Sequence, residues 1–190
     1  MVGIAMVLTG ARVHVAFQPI DVERSTLTVH AYKAGLFSAF ADNHVIRAPI
    51  AGGRINEEGM LAVELTVKTA KMTVLDPGMS PDKRAEVQTR MHGPEVLDSA
   101  RYPEIRFAST RVAPDGENQW RVTGELTLHG VSRPLTLDVV RRDGRFRGTV
   151  SIRQRDFDIQ PISIVGGTVK VKDELRIEFD VAPGKMTAQR

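Results

Sequence analysis

Residues 122–139, VTGELTLHGVSRPLTLDV, constrain the fold more than any other stretch: two runs of strict apolar–polar alternation joined by a short turn. On the first run Trp120, Val122, Leu126 and Leu128 share one face, and Arg121, Thr123, Glu125 and Thr127 the other. On the second, Leu135, Leu137 and Val139 alternate with Thr136 and Asp138. A period of two marks a strand with one dry and one wet face. With HGVSRP read as the turn, the two runs form an antiparallel pair. A sheet dry on one face must bury that face. Closing on itself around an apolar interior is one solution, and it makes a ligand site without any catalytic residue.

The pattern recurs. Leu27, Val29 and Ala31 share a face within residues 25–32, and Leu61, Val63, Leu65 and Val67 alternate with Ala62, Glu64, Thr66 and Lys68. Ile105, Phe107 and Ser109 form another dry face. Asp143-Gly144 reads as a type I′ hairpin turn, with Phe146, Gly148, Val150 and Ile152 on one face beyond it. After an extended piece at 168–172, Leu175, Ile177, Phe179 and Val181 alternate with Arg176, Glu178 and Asp180. Two regions break the rhythm. Residues 33–53 carry a patch with Phe37 and Phe40 beside Asp42-Asn43-His44, read as a short helix followed by a strand over 45–50. Ser80 as N-cap, Pro81 at the first helical position and Gly93-Pro94 as a stop predict a helix over 81–92, with another turn at 95–99. The fold class is all-β, about eight antiparallel strands in a sandwich or barrel with a short helical insert.

At 190 residues the chain fits one domain and can bury a full core. The balance of 26 basic and 23 acidic residues argues weakly for nucleic acid, and none is expected as a partner. Cysteine is absent, which removes disulfides, thiol nucleophiles and thiolate metal sites. No apolar run approaches the roughly 20 residues of a membrane-spanning helix. Residues 2–8 look like a short signal-peptide core, but no Lys or Arg precedes them, Arg12 interrupts, and no clean cleavage site follows. Residues 1–19 are therefore read as a leader or irregular start, with a degraded signal peptide as the alternative, and 183–190 as a tail.

Chemistry-bearing patterns are scarce. No nucleophile elbow, phosphate loop, dinucleotide fingerprint or HExxH pattern occurs. His14, His30, His44, His92 and His129 have no zinc-ligand spacing, so no metal is expected. His129 is read as bracing its turn, and His44 as meeting a head group or sitting buried and satisfied. Were the barrel an enzyme, Asp156 and His44 would be the acid–base candidates. Arg141, Arg142, Arg145, Arg147, Arg153 and Arg155 crowd one span against Asp143 alone. They read as the wet face and tip of a hairpin, with peripheral membrane contact as the functional alternative.

LDSARYPEIRFASTRV and WRVTGELTLHGVSRPLTLDV resemble the YceI-like family, also called polyisoprenoid-binding domains. The family's Tyr-Pro-x-Ile-x-Phe-x-Ser segment is matched from Tyr102 through Ser109, and its Gly-x-Leu-Thr-x-His-Gly-Val-Thr/Ser-Arg/Lys-Pro segment from Gly124 through Pro134. A third segment, Arg-x-Asp-Phe-Gly, resembles RQRDFD at 153–158, with Asp158 where the family usually has Gly, which suggests a changed turn or strand edge. The resemblance covers about residues 20–182. It implies an extended, eight-stranded, lipocalin-like antiparallel barrel, periplasmic or secreted, that binds rather than catalyses. The implied ligand is an isoprenoid or quinone-like amphiphile, with no other cofactor. On this reading Leu27, Val29, Phe37, Phe40, Phe107 and Trp120 line the ligand site. So do Leu126, Leu128, Phe157 and Phe179, with His44 at the mouth. The alternatives are a barrel enzyme acting on a lipid and a packed barrel used as a stress-related interaction module. Oligomeric state, a homodimer included, stays open.

Overall fold

The computed structural model describes residues 17–34, 43–57, 61–164 and 169–185. The alternating runs form strands β1 (Gln18–Ala34), β2 (His44–Arg47), β3 (Ile50–Asn56), β4 (Ala62–Lys68) and β5 (Thr73–Val74). After helix α1 (Pro81–His92) come β6 (Glu104–Pro114), β7 (Gln119–Leu128), β8 (Val131–Arg142), β9 (Arg145–Arg153), β10 (Ser163–Ile164) and β11 (Val169–Pro183). Neighbours run antiparallel, and β1 pairs with β11, so the sheet closes into an eight-stranded barrel with β2 and β3 acting as one interrupted strand. The break falls at Ala48-Pro49, where the Ala48 amide still donates to Leu27 O at 2.9 Å. Closure removes the open edges that so many strands would otherwise expose.

Closure requires twist, and β1 supplies it with a bulge between Asp21 and Thr26. Ser25 satisfies that bulge: its hydroxyl donates to Asp21 O at 2.6 Å and accepts from the Ala182 amide at 2.9 Å. β1 thus begins at Gln18, seven residues before the alternation is legible and inside the segment read as a leader.

Two sequence expectations change. The strand expected over 45–50 divides into β2, which ends at Arg47, and β3, which starts at Ile50 and continues through Asn56. Gly53 serves close approach: a Cβ there would fall 2.5 Å from Glu64 O and 2.6 Å from Ile20 Cδ1. The HGVSRP turn shrinks to His129-Gly130, both left-handed (φ 52° and 75°), a two-residue type I′ connection like Asp143-Gly144 (φ 53° and 71°). Val131 to Pro134 already pair with β7. In such a hairpin bonded and non-bonded pairs alternate from the turn, so Pro134 turns its missing N–H toward β9. There the β8–β9 ladder, only three residue pairs at the hairpin end, asks for no donor.

Helix α1 has the expected bounds and lies across one end of the barrel. Ser80 occupies the N-cap position but makes no side-chain capping bond. The helix is tied down by Gln88 instead, which accepts from the Val74 amide at 2.7 Å and donates to Met72 O at 2.8 Å. Met91 and Leu97 are buried beneath it with Met72 and Val74. The short helix expected near Phe37 and Phe40 lies outside the described residues.

Candidate functional site

The inward faces do not fill the barrel. A cavity of about 800 Å³ runs along it, from the end holding the β3–β4, β6–β7 and β8–β9 connections to the end covered by α1. That lies in the upper part of the range for small-molecule sites. Leu27 and Val29 of β1, Phe107 of β6, Trp120, Leu126 and Leu128 of β7, Phe179 of β11 and His44 of β2 line it. The Trp120 ring meets Phe146 edge-on at 5.9 Å between centroids. Phe37 and Phe40 lie outside the described residues. Met72, Val87, Met91, Leu97, Ile159 and Ile162 also reach the cavity, from segments without strand alternation. Among these only the four-residue spacing of Val87 and Met91 was a legible signal.

Phe157 is a correction. It is 3% exposed and off the cavity wall. A short 3₁₀ turn over Gln154–Phe157 folds its ring into the core, and Asp158 ends that turn in the left-handed conformation (φ 57°). The position where the family usually has glycine thus keeps a glycine-like backbone, a region Asp tolerates better than most residues. Phe157 belongs to a brace at the α1 end. His129 Nδ1 lies 3.2 Å from Phe157 O, and the Tyr102 and His129 rings meet at 4.4 Å. Arg133 Nε donates to Asp156 O at 2.9 Å, and Thr69 Oγ1 donates to Tyr102 O at 2.9 Å. The three motifs of the sequence therefore meet here. Their polar residues hold loops together, while Phe107, Leu126 and Leu128 from the same motifs turn inward.

His44 does not pair with Asp156, which is exposed on the 3₁₀ turn. Its carboxylate is Asp76, 4% exposed at the side chain, which accepts from His44 Nδ1 at 2.6 Å and from the Val45 amide at 2.7 Å. Because a carboxylate only accepts, Nδ1 carries the hydrogen, and Nε2 is the ring nitrogen left for a ligand. Nothing in the sequence signalled Asp76: the residues are 32 apart, and Asp76-Pro77-Gly78 reads as a turn. Among the described residues no three His, Asp or Glu side chains cluster for a metal.

The arginine-rich span divides. Arg141 lines the cavity and pairs with Glu57 at 2.8 Å. Arg145 and Arg147 clamp Asp180 on the outer face at 2.6 and 2.9 Å, and Asp180 holds the Arg147 guanidinium above its ordinary pKa. Three of the six are thus paired, Arg141 at the cavity and Arg145 and Arg147 on the outer face, which leaves Arg142, Arg153 and Arg155 as exposed cations of the span.

A sequence profile of the YceI-like domain matches residues 18–182. The chain belongs to the YceI-like family. A UPF0312 protein of Vibrio parahaemolyticus is 32% identical over 127 residues, 60% of this chain and 65% of that protein. One of Pseudomonas syringae pv. tomato is 36% identical over 86 residues, 40% and 45% of the two chains. The chain thus spans less than two thirds of the length of the curated relatives it matches. Among solved structures, Burkholderia cenocepacia BcnA superposes with a TM-score of 0.60 at 19% identity, covering 85% of this chain and 98% of its own. A polyisoprenoid binding domain from Saccharophagus degradans, implicated in plant cell wall breakdown, gives 0.59 at 16%, covering 88% and 97%. Both neighbours share the barrel fold.

Proposed function

We propose that this YceI-like barrel is a non-enzymatic carrier that holds the tail of an isoprenoid, or of a related amphiphilic lipid, in its interior. The observation that carries this reading is the long cavity of about 800 Å³ walled by inward apolar side chains from β1, β6, β7 and β11 and by α1. An apolar tail moved from water onto such walls gains roughly 25 cal/mol per Å² before the costs of binding. The likeness to the Saccharophagus neighbour, a polyisoprenoid binding domain, supports the same class. Among the described residues that line the cavity no Ser, Thr, Tyr or Cys stands with the His44–Asp76 pair, so the pair has no hydroxyl or thiol nucleophile there, which favours a binder. A periplasmic or secreted setting, where a water-insoluble lipid needs a carrier between membranes, is part of the proposal.

The test uses the chain's one tryptophan, Trp120, which lines the cavity. Lipid-stripped protein is titrated with a long-tailed prenyl quinone, a quencher of indole fluorescence. The expected result is saturable one-to-one quenching that weakens in Phe179→Ala. Non-saturating quenching, the same for free tryptophan, contradicts the proposal.

A further inference from the structure

At the end of the cavity away from α1 one ion pair joins opposite sides of the barrel. Glu57 follows directly on β3, Arg141 lies near the end of β8, and their side chains meet at 2.8 Å. In the closed order β1, β3, β4, β6, β7, β8, β9, β11, strands β3 and β8 stand four places apart in either direction. Strands so placed face each other across the axis of an eight-stranded barrel, so the pair spans the mouth. Both residues continue inward registers. Ile55 precedes Glu57 by two, Val139 precedes Arg141 by two, and all four line the cavity. The pair is also anchored on each side. Gln18 of β1 donates to Glu57. The Arg141 guanidinium lies over the Phe146 ring, 5.4 Å from its centre, and that ring meets Trp120 edge-on.

We infer that the Glu57–Arg141 pair is a latch across this mouth, and that ligand enters and leaves the barrel past it. This rests on the lipid-binding reading above and adds the route and its control. The two side chains are 22% and 39% exposed, so each charge meets water as the pair parts, and an ion pair of that kind separates at little cost. No strand has to move. Two side chains rotate while β3 and β8 keep their ladders with β4 and β7. Closed, the pair lays two charges across the end of an apolar channel, in the path of a tail leaving by that end. Exchange then runs through the fraction of time for which the pair is open. Entry and release therefore speed up together when that fraction rises, and affinity stays the same.

Release is read as recovery of Trp120 fluorescence when protein loaded with a prenyl quinone is mixed with excess phosphatidylcholine vesicles. Arg141→Glu sets like charges at the mouth and speeds release about fivefold, the factor that one partly exposed ion pair is worth. The charge swap Glu57→Arg with Arg141→Glu returns the original rate. Saturable quenching of unchanged affinity in both shows that they fold. The chain has no cysteine of its own, so Glu57→Cys with Arg141→Cys can be bridged by a short bifunctional methanethiosulfonate. Bridging slows release about tenfold or more, because the closed state is then the only one populated, and reductant restores it. A bridged protein that releases quinone at the unbridged rate overturns the route. An unchanged release rate in Arg141→Glu, or a faster one that the charge swap fails to reverse, overturns the latch. Either result leaves the lipid-binding reading standing. Failure of the quinone to quench the unaltered protein saturably overturns that reading instead.

Discussion

Phe179 has room on the cavity wall because the residue opposite it on β9 is Gly148. A Cβ at Gly148 would fall 2.4 Å from Phe179 Cζ and 2.5 Å from Asp138 O. Gly148→Ala is therefore expected to cost about 1–3 kcal/mol, the usual range for overpacking, measured as a shift in denaturant midpoint. Asp76 is the other residue on which local order turns. Asp76→Ala strips the acceptor from both the Val45 amide and His44 Nδ1. Leaving such buried donors unmade costs about 1–3 kcal/mol, and equilibrium unfolding would show it; an unchanged midpoint would mean that water replaces the carboxylate. Neither pairing was legible in the sequence. A glycine in the inward register of an alternating run reports a missing side chain, not which neighbour fills the space. An aspartate before Pro-Gly reports a turn, not a histidine on another strand. Alternation did expose the inward residues themselves, since that depends only on the period of a strand.

The helix and strands separate what local sequence decides from what tertiary contact decides. α1 was legible at both ends because Pro81 and Gly93 act on their own backbone. β3 was not, because Gly53 serves the close approach of β4 and Ile20. The β8–β9 seam makes a sharper point. β7 and β8 pair over ten residues and β9 and β11 over eight, but β8 and β9 pair over three. By the alternation that turns Pro134 toward β9, the Thr136 and Asp138 amides face the seam while those of Leu135 and Leu137 face β7. Native-state hydrogen exchange should be faster at Thr136 and Asp138, and equal protection at all four would mean that the seam is zipped. Between β4 and β6, Glu104 accepts from Lys68 and Arg106, and those bonds hold its carboxyl below the usual carboxylate range. A lowered folded-state pKa stabilises the fold above the unfolded value, about 4.3, and that stabilisation is lost as pH falls through the folded value. Glu104→Gln should therefore flatten the acid limb of stability against pH and leave its alkaline limb unchanged.

For the molecule as a whole, a carrier must be held together by something other than the walls it offers its ligand. The two aromatics Phe157 and Phe179 make the division testable. Phe157, packed under the brace that joins Tyr102, His129 and Arg133, should cost about 3–5 kcal/mol when cut to alanine, as buried phenylalanines do. Phe179→Ala, bordering open space, should cost clearly less in thermal or chemical unfolding and more in ligand retention. The sequence ranked both as lining because both are aromatic and lie within the barrel's span. Only the 3₁₀ turn after β9, which carries no alternation, separates them. The central claim is that the interior holds a lipid tail, and the most direct measurement is of what the protein carries. Protein purified without detergent is extracted with organic solvent and the extract resolved by mass spectrometry. One prenyl or related long-chain amphiphile at about one per chain is the predicted result. An extract with no such compound, from protein that also fails to take up a prenyl quinone, would contradict the account.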